Sequence, residues 1–438
     1  MENQNREIFG FSKTMFLQCV VLFLGLCGGL LFSRYIYILT ALFTTIICFT
    51  KDTNNIYYHL LFSMSFIVVY KLSPSSTSFF AYLMIITGII LMLRIKSVGK
   101  VQLLFLLLFS LYLLLGMKTK YTMVFKMIMG IILLYFFVRT TEEQNFKNHI
   151  MAFSLGVIGS SVLGIFRNSL PQLAAYFKTE YTLYSGGDIA HRFTGLNYDP
   201  NYYSMSVVFA VLLCLMLLQT QKKGKRFTLV VIILLLMFGF RSYSKMFLLC
   251  MSVISVVLLL HILKSPKKFF LIAIPFGAVS ALVATYLNKI NYMNMMFDRL
   301  FEGDISTGRF KIWISYFEYL KNSPFTLIFG SGVGRDYLSV GGPHNTYIEG
   351  LFFVGVVGTI CYLLVIVSIL MYRRCNRSRS VINYVLLLVF LIMNGVLGCF
   401  TINEMPFYLM LTWISLNISF KTKERKYINR EIFLQCSA

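Results

Sequence analysis

The chain has 438 residues, of which 58% are hydrophobic, 16% aromatic and only 13% charged. That is far too apolar for a soluble domain and marks an integral membrane protein with many spans. Its formal net charge of +23 does not point to nucleic acid, because the Lys and Arg sit in short clusters between apolar segments, where they set orientation and attract anionic lipid headgroups.

The first apolar segment, 14–32, follows Arg6 and Lys13 as the core of a signal peptide would. It is long enough to span and lacks a clear cleavage site, so it reads as a first anchor. Segments near spanning length follow at 35–50, 56–70, 79–93, 101–117, 121–138 and 150–166. After a polar loop at 167–202 come 203–218, 227–240, 246–263 and 269–287. A longer polar loop, 288–345, precedes the last three, at 346–371, 381–400 and 407–420. The expected fold is all-α: one integral membrane domain spanning 1–438, with about 12 to 14 transmembrane helices.

Positively charged short loops stay in the cytoplasm. Lys222, Lys223, Lys225 and Arg226 follow the eighth segment, and Lys264, Lys267 and Lys268 the tenth. Arg373, Arg374, Arg377 and Arg379 follow the twelfth, and Lys421, Lys423, Arg425 and Lys426 open a basic tail, 421–438. All four clusters belong to that side. By parity the loops at 167–202, 241–245, 288–345 and 401–406 share the opposite face. They carry most of the acids: Glu180, Asp188, Asp199, Asp298, Glu302, Asp304, Glu318, Asp336 and Glu404. A site built from these loops faces outward.

Of the nine cysteines, Cys19, Cys27, Cys48, Cys214, Cys250, Cys361 and Cys399 lie in apolar segments, and Cys375 and Cys436 in basic ones. They have no zinc-ligand spacing and read as small buried hydrophobes. His59 and His261 fall within spans as helix-packing residues, and His149 lies beside a cytoplasmic helix start. Asp298, Glu302 and Asp304 read as solvated acids rather than metal ligands.

The residues able to do chemistry gather in the outward loops. In 167–202, the stretch His191-Arg192-Phe193-Thr194-Gly195-Leu196-Asn197-Tyr198-Asp199-Pro200-Asn201 ends in an Asp, Pro and Asn suited to a turn entering a helix. Arg241-Ser242-Tyr243-Ser244-Lys245 puts two cations into a tight turn at membrane depth, where either an anionic ligand partners them or they snorkel to the interface.

In the large loop, Phe310, Trp313, Ile314, Phe317 and Leu320 mark an amphipathic helix, lying on the membrane surface or packed on its neighbours. Arg309 stands near its start, where free N–H groups attract anions. The glycines of Gly330-Ser331-Gly332-Val333-Gly334 lack the following Lys-Ser/Thr and preceding strand of a nucleotide loop. They read as a flexible turn that lets the loop fold over the site. Pro343-His344-Asn345 closes it.

Together these pieces resemble the O-antigen ligase and polymerase superfamily, bacterial membrane glycosyltransferases that act on polyprenyl-diphosphate-linked glycans at the outer face of the cytoplasmic membrane. The resemblance runs in order through Arg192-Phe193-Thr194-Gly195 with Pro200-Asn201, Ser244-Lys245, Thr307-Gly308-Arg309 with Trp313, the glycines 330–334, and Pro343-His344-Asn345 before a helix with Gly355 and Gly358. It covers roughly the second half of the chain; the first seven segments match only as apolar spans.

What the resemblance implies is a metal-independent, cofactor-free inverting transfer. Arg309 and Arg192 would contact the donor diphosphate, and His344 would take the proton of an acceptor hydroxyl. The residue types suit that chemistry. Arg binds phosphate oxygens through parallel N–H bonds where charge develops, and a general base is worth about 100- to 10,000-fold. The family commonly has Ser-Arg at the short turn where this chain has Ser244-Lys245, which leaves open whether Lys245 or Arg241 fills the cationic position. Asn345, Tyr347 and Glu349 would orient His344 or contact sugar, or be ordinary helix-start residues; His191, beside Arg192, is a further substrate-contacting candidate.

The activity implied is a polymerase of O-antigen, capsular or exopolysaccharide type, joining one lipid-linked repeat unit to another. The alternative is a ligase of the same fold using a lipid-core or protein acceptor. Membrane lipid, a chain-length regulator and a flippase are the partners implied. A lipid-linked oligosaccharide flippase is the reading from another class. It calls for intramembrane charges on both leaflets or a repeated half-structure, and the sequence has neither.

Overall fold

The computed structural model describes residues 7–50, 52–94, 99–116, 121–177, 181–185, 188–263, 308–372, 381–400, 402 and 404–418, with Thr285, Met295, Met296 and Asp298 as single positions. Outside the described residues lie the segment expected at 269–287, Thr307, the acids Glu180, Glu302 and Asp304, the basic clusters at 264–268, 373–379 and 421–426, and Cys375 and Cys436. The side chain of His261 is likewise outside them.

Among the described residues the helices are α1 (Lys13–Leu31), α2 (Ile36–Cys48), α3 (Thr53–Ser63), α4 (Phe79–Arg94), α5 (Lys100–Leu115), α6 (Tyr121–Thr140), α7 (Phe146–Ile165) and the short α8 (Pro171–Ala174). They continue as α9 (Pro200–Thr220), α10 (Lys225–Phe240), α11 (Lys245–Leu263), α12 (Arg309–Lys321), α13 (Pro324–Phe329), α14 (Thr346–Leu370), α15 (Ile382–Asn394) and α16 (Met405–Asn417). Every apolar segment expected outside 269–287 coincides with one of them.

Among the described residues five helices are long and apolar enough to cross a membrane: α1, α6, α7 with its preceding turn, α9 and α14. Shorter apolar helices include α2, α4, α5, α15 and Lys245–Val257 of α11. The chain is an all-α polytopic membrane protein. Among the described residues its strands form two small antiparallel hairpins, β1 (Glu7–Ile8) with β2 (Phe11–Ser12) and β3 (Thr182–Ser185) with β4 (Asp188–His191).

Two spans are shorter than their apolar runs. The 56–70 run leaves the α-helix at Ser63 and passes through a 3-10 turn at Met64–Phe66. There the Phe62 carbonyl lies so close to Gly156 of α7 that a side chain at Gly156 would strike it. The run at 381–400 is helical only to Asn394, after which Gly395 caps the helix.

α9 is the central helix. Val207 through Cys214 are all fully or almost fully buried, and α9 packs against α7, α10, α11, α15 and α16. A helix apolar on every side, as this one is, belongs in the interior.

Hydrogen bonds sort the connections into two ends. At one end the Phe193 N–H donates to the Arg241 carbonyl at 2.9 Å, Tyr202 OH to the Gly398 carbonyl at 2.7 Å and Asn345 Nδ2 to the Gly395 carbonyl at 2.8 Å. At the other, the Ser12 N–H donates to Asn148 Oδ1 at 3.0 Å, Lys147 pairs with Glu7 at 2.6 Å, and Phe9 stacks on Phe227 beside the 222–226 cluster. The basic cluster and the loops that charge parity separates from it therefore lie at opposite ends of the bundle.

α14 is broken at Gly355, whose φ of 64° and ψ of −173° are not helical. The carbonyls released by the break need donors, because Phe352, Phe353 and Val354 are buried. Ser331 supplies its N–H and its hydroxyl to the Phe352 carbonyl at 2.8 and 2.7 Å, Gly332 its N–H to Phe353 at 3.0 Å, and Tyr112 its hydroxyl to Val354 at 2.7 Å. The glycines expected to be a flexible turn over the site are instead a wedge packed on this break. A Cβ at Gly330 would meet the Phe353 carbonyl, and one at Gly355 the Gly330 amide.

Candidate active site

At the end where the polar loops meet, a cleft of about 190 Å³ is lined by Asp199, Asn201, Tyr202, Arg309, Ile312, His344 and Leu397. Three local structures build it. The first is the start of α9, where the Asp199 carboxylate accepts the Asn201 N–H at 2.6 Å and Pro200 occupies the first turn. Both are favoured at a helix start, and they bring Asn201 and Tyr202 to the cleft.

The second is the start of α12. Gly308, at φ 81°, turns the chain into the helix, and Arg309 is its first residue. On the protein-facing side of α12, Trp313 Nε1–H donates to the Pro343 carbonyl at 2.7 Å. The Tyr316 hydroxyl donates to the Gly341 carbonyl at 2.9 Å and accepts the Leu338 N–H at 3.3 Å. The five apolar residues expected to form one face divide: Leu320 is buried and Trp313 turns to the protein, whereas Phe310, Ile314 and Phe317 are exposed.

The third is the turn into α14. Asn345 caps that helix, its Oδ1 accepting from the N–H groups of Tyr347 at 3.0 Å and Ile348 at 3.1 Å. His344 is thus pinned between the Pro343 carbonyl held by Trp313 and the Asn345 cap. Its φ of 46° lies in the region that non-glycine residues seldom occupy.

Among its described residues the cleft carries one acid beside its bases. His344 is solvent-exposed, yet desolvation by the surrounding protein is the largest influence lowering its pKa below the ordinary value. The Arg309 charge lowers it further, and Asp199 opposes. Desolvation also lowers the Arg309 pKa, against Asp199 and Tyr202; a guanidinium remains charged regardless. The site therefore offers a neutral imidazole beside a fixed cation, a pair suited to accepting a proton and holding an anion.

The other sequence candidates fall around this centre. Arg192 donates from Nε to the Ser242 carbonyl and from Nη2 to Asn201 Oδ1, both at 3.2 Å, so it adjoins the cleft through Asn201. Ser244 donates to the same Asn201 oxygen at 3.0 Å and accepts the Phe247 N–H at 3.4 Å, capping α11. Lys245 is the first residue of α11 and does not line the cleft. Arg241 is exposed, with its guanidinium 5.3 Å over the Phe193 ring, and does not line it either. His191 is exposed at the end of β4, paired with Thr182.

Asn345, Tyr347 and Glu349 brace the histidine loop and α14 against 391–400. The Tyr347 hydroxyl donates to the Leu391 carbonyl at 2.9 Å. Glu349 is buried, accepting from the Tyr337 hydroxyl at 2.6 Å and the Phe400 N–H at 3.0 Å. Away from the cleft, His59 is buried with Nδ1 3.2 Å from Thr44 Oγ1, and His149 with Nδ1 2.9 Å from the Asn145 carbonyl. Both are helix-packing residues.

Residues 208–363 match the family model described as O-antigen ligase. The superfamily resemblance is supported. Members of that family are membrane enzymes of glycosyltransferase type that act on lipid-linked oligosaccharides. The matched stretch contains Arg241, Lys245, Arg309 and His344, whereas Arg192, Asp199 and Tyr202 precede it. The chain has no match among curated proteins or solved structures.

Sequence reasoning passed over Tyr202, Ile312 and Leu397 as cleft residues, and took Asp199 only as an acid at a helix start. A visible signal existed for Asp199: a capping carboxylate sits at the mouth of its helix, and this helix opens at the end where Arg192 and His344 are found.

Proposed function

We propose that the protein is a polysaccharide polymerase that moves a glycan from polyprenyl diphosphate onto another lipid-linked repeat unit at the outer face of the bacterial cytoplasmic membrane. The observation that carries this reading is that Arg309 and His344, from two separate loop elements, line one cleft that Arg192 adjoins through Asn201. His344 takes the proton of an acceptor hydroxyl as that oxygen attacks the anomeric carbon. The bond to the diphosphate breaks, its electron pair passes to the departing oxygen, and Arg309 with Arg192 balances the growing charge. Direct displacement inverts the anomeric centre, and no step needs a metal. Lys245 or Arg241 is the remaining candidate for a further phosphate contact, although neither lines the cleft.

The description of the matching family as O-antigen ligase favours a second reading: the same transfer onto a lipid-core or protein acceptor. Purified protein in liposomes, given the lipid-linked repeat unit alone, is expected to yield a ladder of chain lengths. Transfer only to an added acceptor, with no ladder, would establish the ligase and sink the polymerase.

A further inference from the structure

The carboxylate of Asp199 has one structural task, accepting the Asn201 N–H at 2.6 Å to cap α9. Asn or Ser would perform it about as well. Yet Asp199 is the one carboxylate among the described residues lining the cleft, where the other charged groups suit an anion. A negative charge there repels a diphosphate, so the cap does not account for it.

We propose, resting on the reading of His344 as the base, that Asp199 is a positioning residue that compensates the charge on His344 during transfer. As the acceptor O–H bond breaks, the proton goes to the imidazole and the oxygen's electron pair forms the new C–O bond. For that interval the cleft holds an imidazolium next to the Arg309 guanidinium, an unfavourable pair. The carboxylate lies among both and offsets the excess positive charge, as buried carboxylates do for imidazolium elsewhere. It does so from a fixed position, because the cap bond to Asn201 and the following Pro200 hold it. The groups with which His344 interacts are Arg309, which lowers its proton affinity, and Asp199, which raises it. Tyr202 also lines the cleft, and Tyr181 interacts with Asp199.

The test compares Asp199→Asn with wild type and His344→Ala, using purified protein in liposomes with lipid-linked repeat unit and initial rates read across pH. Asn keeps the cap and deletes the charge. The expected result is a fall in kcat of at least about tenfold with no rise in donor KM, and an acid limb moved to lower pH, because the influence that raises His344's proton affinity has gone. Asp199→Ala should show the same kinetic change with an added loss of thermal stability.

A wild-type kcat and unmoved acid limb in Asp199→Asn would overturn the assignment. So would a loss as complete as that of His344→Ala with no limb remaining, which would make the carboxylate itself the base. Undiminished transfer by His344→Ala would instead remove the underlying reading of the base, so the two failures are distinct.

Discussion

His344 and Arg309 constrain each other, and the sign of that coupling is measurable. Desolvation first and the Arg309 charge second lower the His344 pKa. With His344 as the proposed base, which works in its neutral form, activity is expected above that pKa and is expected to be lost as pH falls through it. Arg309→Ala removes one lowering influence. The acid limb of the residual activity should move to higher pH, opposite in direction to Asp199→Asn, while the maximal rate falls by about 100- to 1,000-fold. A pH–rate profile of the variant checks both; an unmoved limb would separate the two residues. At Arg192 the prediction differs, because its guanidinium makes two fixed bonds, to Ser242 and Asn201, that a lysine's single ammonium does not reproduce. Arg192→Lys should lower kcat by about tenfold, a loss of about 1.4 kcal/mol of transition-state stabilisation, with a smaller change in donor KM.

The elements that hold these side chains are one amphipathic helix and one broken span. α12 reads the histidine loop through Trp313 and Tyr316. Trp313→Phe keeps the ring and removes the N–H, a bond worth about 1 kcal/mol. It is expected to lower kcat more than thermal stability, since what it releases is Pro343 next to His344. Gly355→Ala acts on stability instead. Its φ of 64° and its approach to Gly330 leave no room for a side chain, and a cost of about 2 to 4 kcal/mol should appear as a lower unfolding temperature in detergent.

The same two elements show what sequence reading reaches. The helix marked by Phe310, Trp313, Ile314, Phe317 and Leu320 was legible from its local periodicity, but not that Leu320 would be buried while Phe310, Ile314 and Phe317 are exposed; the order of Arg309, Trp313 and His344 was legible too. The role of the glycines at 330–334 was not, because it depends on carbonyls released some twenty positions later in the chain, at a break that hydropathy does not register. Asp199 was hidden for a related reason. A helix cap and a cleft carboxylate have the same residue type, and only the meeting of α9, α12 and the turn before α14 distinguishes them. Nor could composition rank Arg241 against Lys245. Their placement depends on which face of a five-residue turn Phe193 covers.

At the scale of the molecule, the question is which side of the membrane the cleft faces. The contacts divide the described connections between two ends: 192–199, 241–244, 338–345 and 395–400 at one, the β1–β2 hairpin with 222–226 at the other. Positively charged short loops remain cytoplasmic, so the end with Lys222, Lys223, Lys225 and Arg226 is expected to face inward and the cleft outward, as the proposed transfer requires.

Single cysteines at Ser339 and Lys222, both exposed, test this in a background lacking Cys375 and Cys436. The native thiols at Cys19, Cys48, Cys214, Cys250 and Cys399 are buried, and any labelling of Cys27 or Cys361 is read from the parent background. A membrane-impermeant maleimide applied to intact spheroplasts should label Ser339→Cys at once and Lys222→Cys only after permeabilisation. The reverse pattern would put the cleft in the cytoplasm, where a glycan carrier at the outer face has no access to His344. Equal labelling of both before permeabilisation would contradict the division into two ends itself.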